Sequence, residues 1–382
     1  MNGRGRVLYS LSHKEPDHVP LDIGGSDVTG IHLGAYRELA LHQGFRPDVP
    51  ICEIVQQVAL PAESLLQELE VDVRPVFPEP PNAWKLEFMV EGPYRTFVDE
   101  FGVKWAMPLD GGLYYDLVSH PLSNLSGIAD LAQHPWPHGA DPGRIRGLRD
   151  RATELSNKTG AALVMLPLYG GIFESAFWLR GYKQFFLDLA ETPVMVEAIL
   201  DRTLQFRLDY WTQILGEVGD LIDIVVEYDD LGSMSGLLIS PSMYRRYVKP
   251  RHRQLFEFIK SRTRAKIFFH CCGAIYKLIP DLIEAGIDIL NPVQVSAAGM
   301  EDTQKLKQEF GRDLTFWGGG INTQMTLPHG TIQEVKEEVK RRIADLAPGG
   351  GYVFAAVHNI QADVPPENIM AMWEAWKEYG VY

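Results

Sequence analysis

The sequence predicts an α/β protein: a (β/α)8 barrel of the TIM type, with an antiparallel hairpin inserted in its N-terminal part. Three observations predict it. Continuous apolar runs alternate with helical stretches, which implies a parallel sheet buried on both faces. Eight such runs can be counted, at 19–23, 71–76, 161–168, 221–228, 266–270, 287–291, 314–318 and 352–357. Polar or titratable residues follow nearly every run, and barrels keep their chemistry at the C-terminal ends of their strands. With 382 residues, 46% of them hydrophobic, the chain fits one barrel domain over 1–382.

Taken in order, residues 1–17 are polar and begin with a short helix over 7–12. The first strand ends at Gly24-Gly25-Ser26-Asp27. Helical patterns follow at 33–42 and 54–69, then the second strand. Residues 77–120 break the rhythm. Apolar arms at 84–90 and 94–98 flank Glu91-Gly92-Pro93, and 104–107 follows Gly102, which reads as the inserted hairpin. Pro135-Trp136-Pro137 is linker-like and leads to a helix over 143–158. The later helices are expected at 193–215, 241–261, 275–285, 331–347 and 366–379. Ser240-Pro241 opens the second of these as an N-cap and first-turn pair. No internal repeat or low-complexity segment appears.

The net charge of −14 and pI near 5.3 argue against nucleic acid or an anionic membrane as partner. No apolar run approaches the roughly 20 residues of a membrane span, and no signal core follows the N-terminal Met1-Asn2-Gly3-Arg4. Three cysteines (Cys52, Cys271, Cys272) make no disulfide framework, so a cytoplasmic location is expected.

Phe268-Phe269-His270-Cys271-Cys272-Gly273 holds the sharpest signal. A strand sends alternate side chains to one side, so His270 and Cys272 can aim an imidazole and a thiol at one point. Nitrogen with thiolate sulfur suits zinc. The alternative is a hydrogen-bonded histidine beside a buried thiol. His358 ends the last strand; taken alone it reads as a polar lid residue, but on the same barrel rim as His270 it is the natural third ligand. Glu227 stands at the end of a strongly apolar strand and Asp229-Asp230 follow it; one of the three is a candidate fourth ligand, partner of a ligand, or acid–base group. The competing reading is a solvated loop or a helix N-cap cluster. Other strand ends carry Asp22, Glu174, Asn291, Gln294, Trp317, Asn322 and Gln324. Of these, Asn322, Gln324, Gln294, Glu174 and Trp317 are the candidate substrate contacts. Tyr169, Phe173, Phe177, Trp178 and Trp317 are candidates for an apolar wall, although aromatics on barrel helices more often belong to the core. Gly318-Gly319-Gly320 allows close approach to a ligand or a tight turn. Gly349-Gly350-Gly351, ahead of the last strand, reads as structural. Cys52 reads as a buried residue in a helix.

At these residues the chain resembles the uroporphyrinogen decarboxylase superfamily, and within it the corrinoid-dependent methyltransferase branch. The resemblance is carried by Glu15-Pro16-Asp17-His18-Val19-Pro20, Asp229-Asp230-Leu231-Gly232, Leu238-Ile239-Ser240-Pro241 and His270-Cys271-Cys272-Gly273. Further on it is carried by 288–294, 317–324 and Pro365-Pro366-Glu367-Asn368-Ile369. The decarboxylase places an R-Q-A-G-R segment after its first strand, where this chain has Asp22-Ile23-Gly24-Gly25-Ser26-Asp27 and no arginine. Porphyrinogen decarboxylation is therefore not expected.

The methyltransferase branch binds zinc through H-x-C and a later cysteine, whose place here is taken by His358. One thiolate and two imidazoles make a more Lewis-acidic zinc, which favours an ether or alcohol oxygen over a thiol. The resemblance implies a zinc enzyme that moves a methyl group between a small methylated compound, an O-methyl donor first, and the cobalt of a corrinoid. No D-x-H-x-x-G signature occurs, so the corrinoid is expected on a partner protein. The runner-up is a decarboxylase or lyase acting on another carboxylate, with Arg180 or Arg245 in its pocket. A non-catalytic subunit of a methyl-transfer complex is the third reading. The oligomeric state is left open, a homodimer included.

Overall fold

The computed structural model describes residues 1–168 and 170–382. Seven parallel strands form one curled sheet. Its order is Val73–Val76, Ala162–Met165, Ile224–Tyr228, Lys266–His270, Ile289–Asn291, Thr315–Trp317 and Tyr352–Val353, each beside its successor in sequence. All but one of these strand residues are buried, as expected for strands covered by helices.

The expected first strand closes the ring as a single bridge. Leu21 pairs with Phe354. Phe354 N–H donates to the Pro20 carbonyl at 2.8 Å and Asp22 N–H to the Phe354 carbonyl at 2.8 Å. On the other side Asp72 N–H reaches the Leu21 carbonyl at 3.0 Å, and the Leu21 N–H is taken by the Asp72 carboxylate at 2.8 Å. Pro20 has no N–H and a side chain occupies the next ladder position, so regular pairing stops there.

Two expectations are corrected. Residues 54–69 do not form one helix. Ile51–Glu53 and Val58–Ala59 pair antiparallel, and the helix is confined to Glu63–Glu68. Glu53 accepts the N–H groups of Val55 and Gln56, and Gln57 sits at φ 55 in the left-handed region. Pro61 supplies no N–H. These local bonds make a turn where apolar spacing suggests a helix. The inserted hairpin is a four-stranded antiparallel sheet of Met89–Glu91, Tyr94–Val98, Lys104–Pro108 and Asp116–Ser119. Its first arm is shorter than expected, and its fourth strand was not expected at all.

Helices Ile172–Arg180, Tyr182–Glu191 and Thr303–Phe310 also add to those expected. The first of these buries nearly every side chain, so it lacks the polar face that marks a helix in a sequence. Gly171 lets its start sit against the neighbouring strand end, since a Cβ there would lie 1.9 Å from the Tyr228 carbonyl oxygen. Buried apolar residues of the barrel and of the inserted sheet (Phe97, Trp105, Met107) form one cluster. The sheet therefore roofs the barrel mouth.

Candidate metal and substrate site

Strand alternation decides what each strand end offers. Lys266–His270 pairs with Ile224–Tyr228 so that Phe269 lies beside Glu227 and His270 beside Tyr228. Phe268 packs edge-on against Trp317 inside the barrel, and Phe269 packs outward against His252 and Phe256. His270 therefore points inward, Cys271 outward and Cys272 inward again. Nε2 of His270 lies 3.2 Å from the Cys272 Sγ. The ring of His358 meets that of His270 edge-on at 5.2 Å. One ligand atom from each of His270, Cys272 and His358 lies within 4.8 Å of the others.

The barrel fixes the tautomer of His270. The Asn291 amide N–H donates to the Trp317 carbonyl at 2.8 Å. Its oxygen therefore faces His270 Nδ1, at 2.6 Å, and must accept a proton from it. Nε2 is left with its lone pair toward Cys272 and His358, the arrangement a metal-binding histidine needs. Burial pushes the His270 pKa down to about 4, so the ring is neutral at ordinary pH.

His358 differs. Its Nδ1 accepts the Asn359 N–H at 2.8 Å, and a neutral imidazole has one ring lone pair. Holding an ion costs His358 that local bond. Burial, and then the neighbouring His270, push its pKa down to about 3.

The thiol of Cys272 is held well above its usual pKa, by burial first and then by Asp230. A dication beside it would reverse that balance and release the thiol proton. Two neutral nitrogens and one sulfur form a borderline-soft donor set, and a tetrahedral zinc holds its donors roughly 3.3–3.8 Å apart. The trio fits zinc in chemistry and, with small side-chain adjustment, in spacing.

His270 and His358 line the floor of a 770 Å³ cavity between the barrel mouth and the inserted sheet, with Cys272 beside His270. His270, His358, Asp230, Glu174 and Tyr228 line the barrel side, and Phe97, Trp105 and Leu117 line the roof. Asp230 accepts the Cys272 N–H at 2.7 Å. Burial raises the pKa values of Asp230 and Glu174, and charge repulsion between the two raises that of Glu174 further.

Other expected site residues are placed elsewhere. Glu227 faces the helix layer, where its carboxylate accepts from Arg207 at 2.6 Å and from the Trp211 indole at 2.5 Å. Asp229 also turns outward. It accepts the N–H groups of Phe173 and Glu174 at the start of Ile172–Arg180, and it meets His252 Nε2 at 2.6 Å. Asp229 thus matches the helix N-cap alternative, whereas Glu227 is neither a cap nor solvated but a buried partner of Arg207.

Asn322 caps the turn after the glycine run by accepting from Gln324 and Met325, and Gln324 is exposed. Neither lines the cavity. Gln294 does not line the cavity either, and accepts the Gly273 N–H at 2.5 Å. Trp317 is buried in the barrel, donating to Asp22 at 2.7 Å. Phe173 and Phe177 pack among the helices with Phe185, and of the expected aromatic wall Trp178 reaches the cavity. Tyr169 lies outside the described residues.

Arg180 is held by Asp188 at 2.7 Å and Arg245 by Asp281 at 2.9 Å, both away from the cavity. Among the cavity residues missed in the sequence are Asp27, Cys52, Glu53, Trp105 and Tyr228. Alternation outward from His270 would have selected Tyr228 and Asp230 and set aside Glu227 and Asp229. Cys52 is on a strand beside the cavity, not in a helix.

Residues 96–379 match the model of the uroporphyrinogen decarboxylase (URO-D) family. The chain belongs to this family. Among its relatives is a methylated-thiol–coenzyme M methyltransferase of Methanosarcina mazei, 25% identical over 244 residues. That match covers 64% of this chain and 61% of the relative, less than two thirds of its length. A uroporphyrinogen decarboxylase of Gluconobacter oxydans is 27% identical over 270 residues, covering 66% of this chain and 70% of that one. Among solved structures, a methyltransferase from Methanosarcina mazei superposes with a TM-score of 0.65 over 99% of both chains, at 20% identity. That likeness shows a shared fold over nearly the whole of this chain.

Proposed function

We propose that this URO-D family protein is a zinc-dependent methyltransferase. It moves a methyl group between a small methylated compound, an O-methyl donor first, and the cobalt of a corrinoid carried on a separate protein. The observation that carries the reading is the grouping of His270, Cys272 and His358, whose two histidines line the floor of a largely apolar cavity. The relative whose name records a methylated-thiol methyltransferase supports the same reaction class. Bound zinc supplies Lewis acidity toward the substrate heteroatom.

The rest is done by the chain. Asn291 fixes the tautomer of His270 through the Trp317 carbonyl. Trp105, Trp178 and Phe97 exclude water and offer flat faces to a methoxyl or aryl group. Asp230 and Glu174, which burial makes reluctant to ionise, hold a proton at the cavity wall for the departing oxygen. A decarboxylase acting on another carboxylate needs cationic groups facing its substrate, and Arg180 and Arg245 are both committed elsewhere.

The test is a screen of methoxylated and methylated compounds with free cob(I)alamin, following the cobalt spectrum. The expected result is zinc-dependent conversion to methylcobalamin with at least one O-methyl compound. No conversion across the panel by zinc-loaded protein contradicts the reading. No helix among the described residues is long and apolar enough to cross a membrane.

A further inference from the structure

The charge lining the cavity points to a substrate class. The carboxyl groups of Asp27, Glu53, Glu174 and Asp230 border it. Asp27 accepts from the Tyr228 hydroxyl, Glu53 from the Val55 and Gln56 N–H groups, and Asp230 from the Cys272 N–H. Their partners are thus uncharged dipoles. At the rim Glu100 is neutralised by Arg144 at 2.6 Å, but Arg144 does not itself reach the cavity. No lysine or arginine stands among the described residues of the wall. The remaining surface is largely aromatic and aliphatic.

An anionic group on such a compound loses its hydration and meets no lysine or arginine in return, because the one cation proposed here, the zinc, is taken by the methylated heteroatom itself. Where the wall carboxyls are ionised it is also repelled across a medium of low dielectric constant. A neutral ether or thioether pays neither cost. Its hydroxyl or amine groups find carboxyl acceptors, and an ammonium group would find the aromatic faces as well.

We propose that the cavity admits uncharged or cationic methylated compounds and rejects their carboxylate and sulfonate counterparts. This rests on the methyltransferase reading for which compounds matter, but its test needs no turnover. Trp84, Trp105 and Trp178 line the cavity, so ligand binding can be read from tryptophan fluorescence.

Three matched pairs are titrated into the zinc-loaded protein at pH 7.5: 3-methoxybenzamide and 3-methoxybenzoate, 2-methoxyphenol and 4-hydroxy-3-methoxybenzoate, and 2-(methylthio)ethanol and 2-(methylthio)ethanesulfonate. At least one uncharged member is expected to bind. Wherever either member of a pair binds, the anion is expected to be weaker by about tenfold or more. Leu117→Arg, at the half-buried rim, is expected to narrow that gap at least threefold by supplying the missing cation.

An anion that binds as well as its neutral partner overturns the proposal. So does a panel in which no uncharged member binds. Neutral preference without methyl transfer to cob(I)alamin would remove the reaction assignment and leave the selectivity standing. Turnover with the anions would do the reverse.

Discussion

The ends of two adjacent strands make an instructive pair. Ile224–Tyr228 runs into Asp229-Asp230, and Lys266–His270 runs into Cys271-Cys272. Both end in polar, chemistry-bearing residues at the same height of the barrel. Yet His270 and Cys272 share one point in the cavity, whereas Glu227 and Asp229 hold helices. Register explains the difference: His270 lies beside Tyr228, so the residues that share its direction are Tyr228 and Asp230. A carboxylate at a barrel mouth is available for chemistry only when the pleat turns it inward and no helix has claimed it.

If that account is right, inward and outward substitutions must fail in different ways. The largest effect on folding belongs to an outward residue. Glu227→Ala leaves the buried Arg207 without its carboxylate and should cost about 3–5 kcal/mol in denaturant unfolding. Zinc content of the surviving folded protein should be unchanged, and lost zinc in a stably folded variant would place Glu227 in the site. Asn291→Ala, an inward substitution, should behave oppositely. Freed from its tautomer constraint, His270 should bind zinc about 10–100-fold more weakly in chelator competition. The third test returns to the outward set: Asp229→Asn weakens the start of Ile172–Arg180 and should cost about 1–2 kcal/mol at constant zinc affinity.

The smallest effect is one of pH. Burial pushes the pKa of Glu53, on the cavity wall, up to about 7, so the folded state binds its proton more tightly than the unfolded chain does. That contribution is fully present below the ordinary pKa near 4.5 and is lost as pH rises through about 7. Glu53→Gln should flatten the decline in stability between those values, measured by urea midpoints across the range. An unchanged profile would mean that Glu53 titrates normally.

The barrel was legible because seven apolar runs and their helices repeat a parallel-sheet pattern, with 19–23 as the eighth. The grouping of His270, Cys272 and His358 was legible because few side chains donate nitrogen or sulfur, and because His270 and Cys272 are two residues apart. What escaped the sequence had physical reasons. Ile172–Arg180 is buried on nearly all sides, so it has no solvent-facing polar stripe to mark a helical period. The turn at 54–57 is set by a carboxylate bonding two backbone N–H groups, which apolar spacing cannot reveal. Asp116–Ser119 is short and mostly exposed, with only Leu117 and Val118 apolar. Asn322 and Gln324 stood beside a glycine run, yet Asn322 is consumed as a cap. Glu227 and Asp229 turn outward to their helix partners, a direction that could have been counted from His270.

Metal analysis of protein grown with zinc, wild type beside His270→Ala, Cys272→Ala and His358→Ala, tests the central claim most directly. The account predicts about one zinc per chain in the wild type and a small fraction of that in each folded variant. A wild-type protein that binds no zinc, or variants that keep it in full, would contradict it.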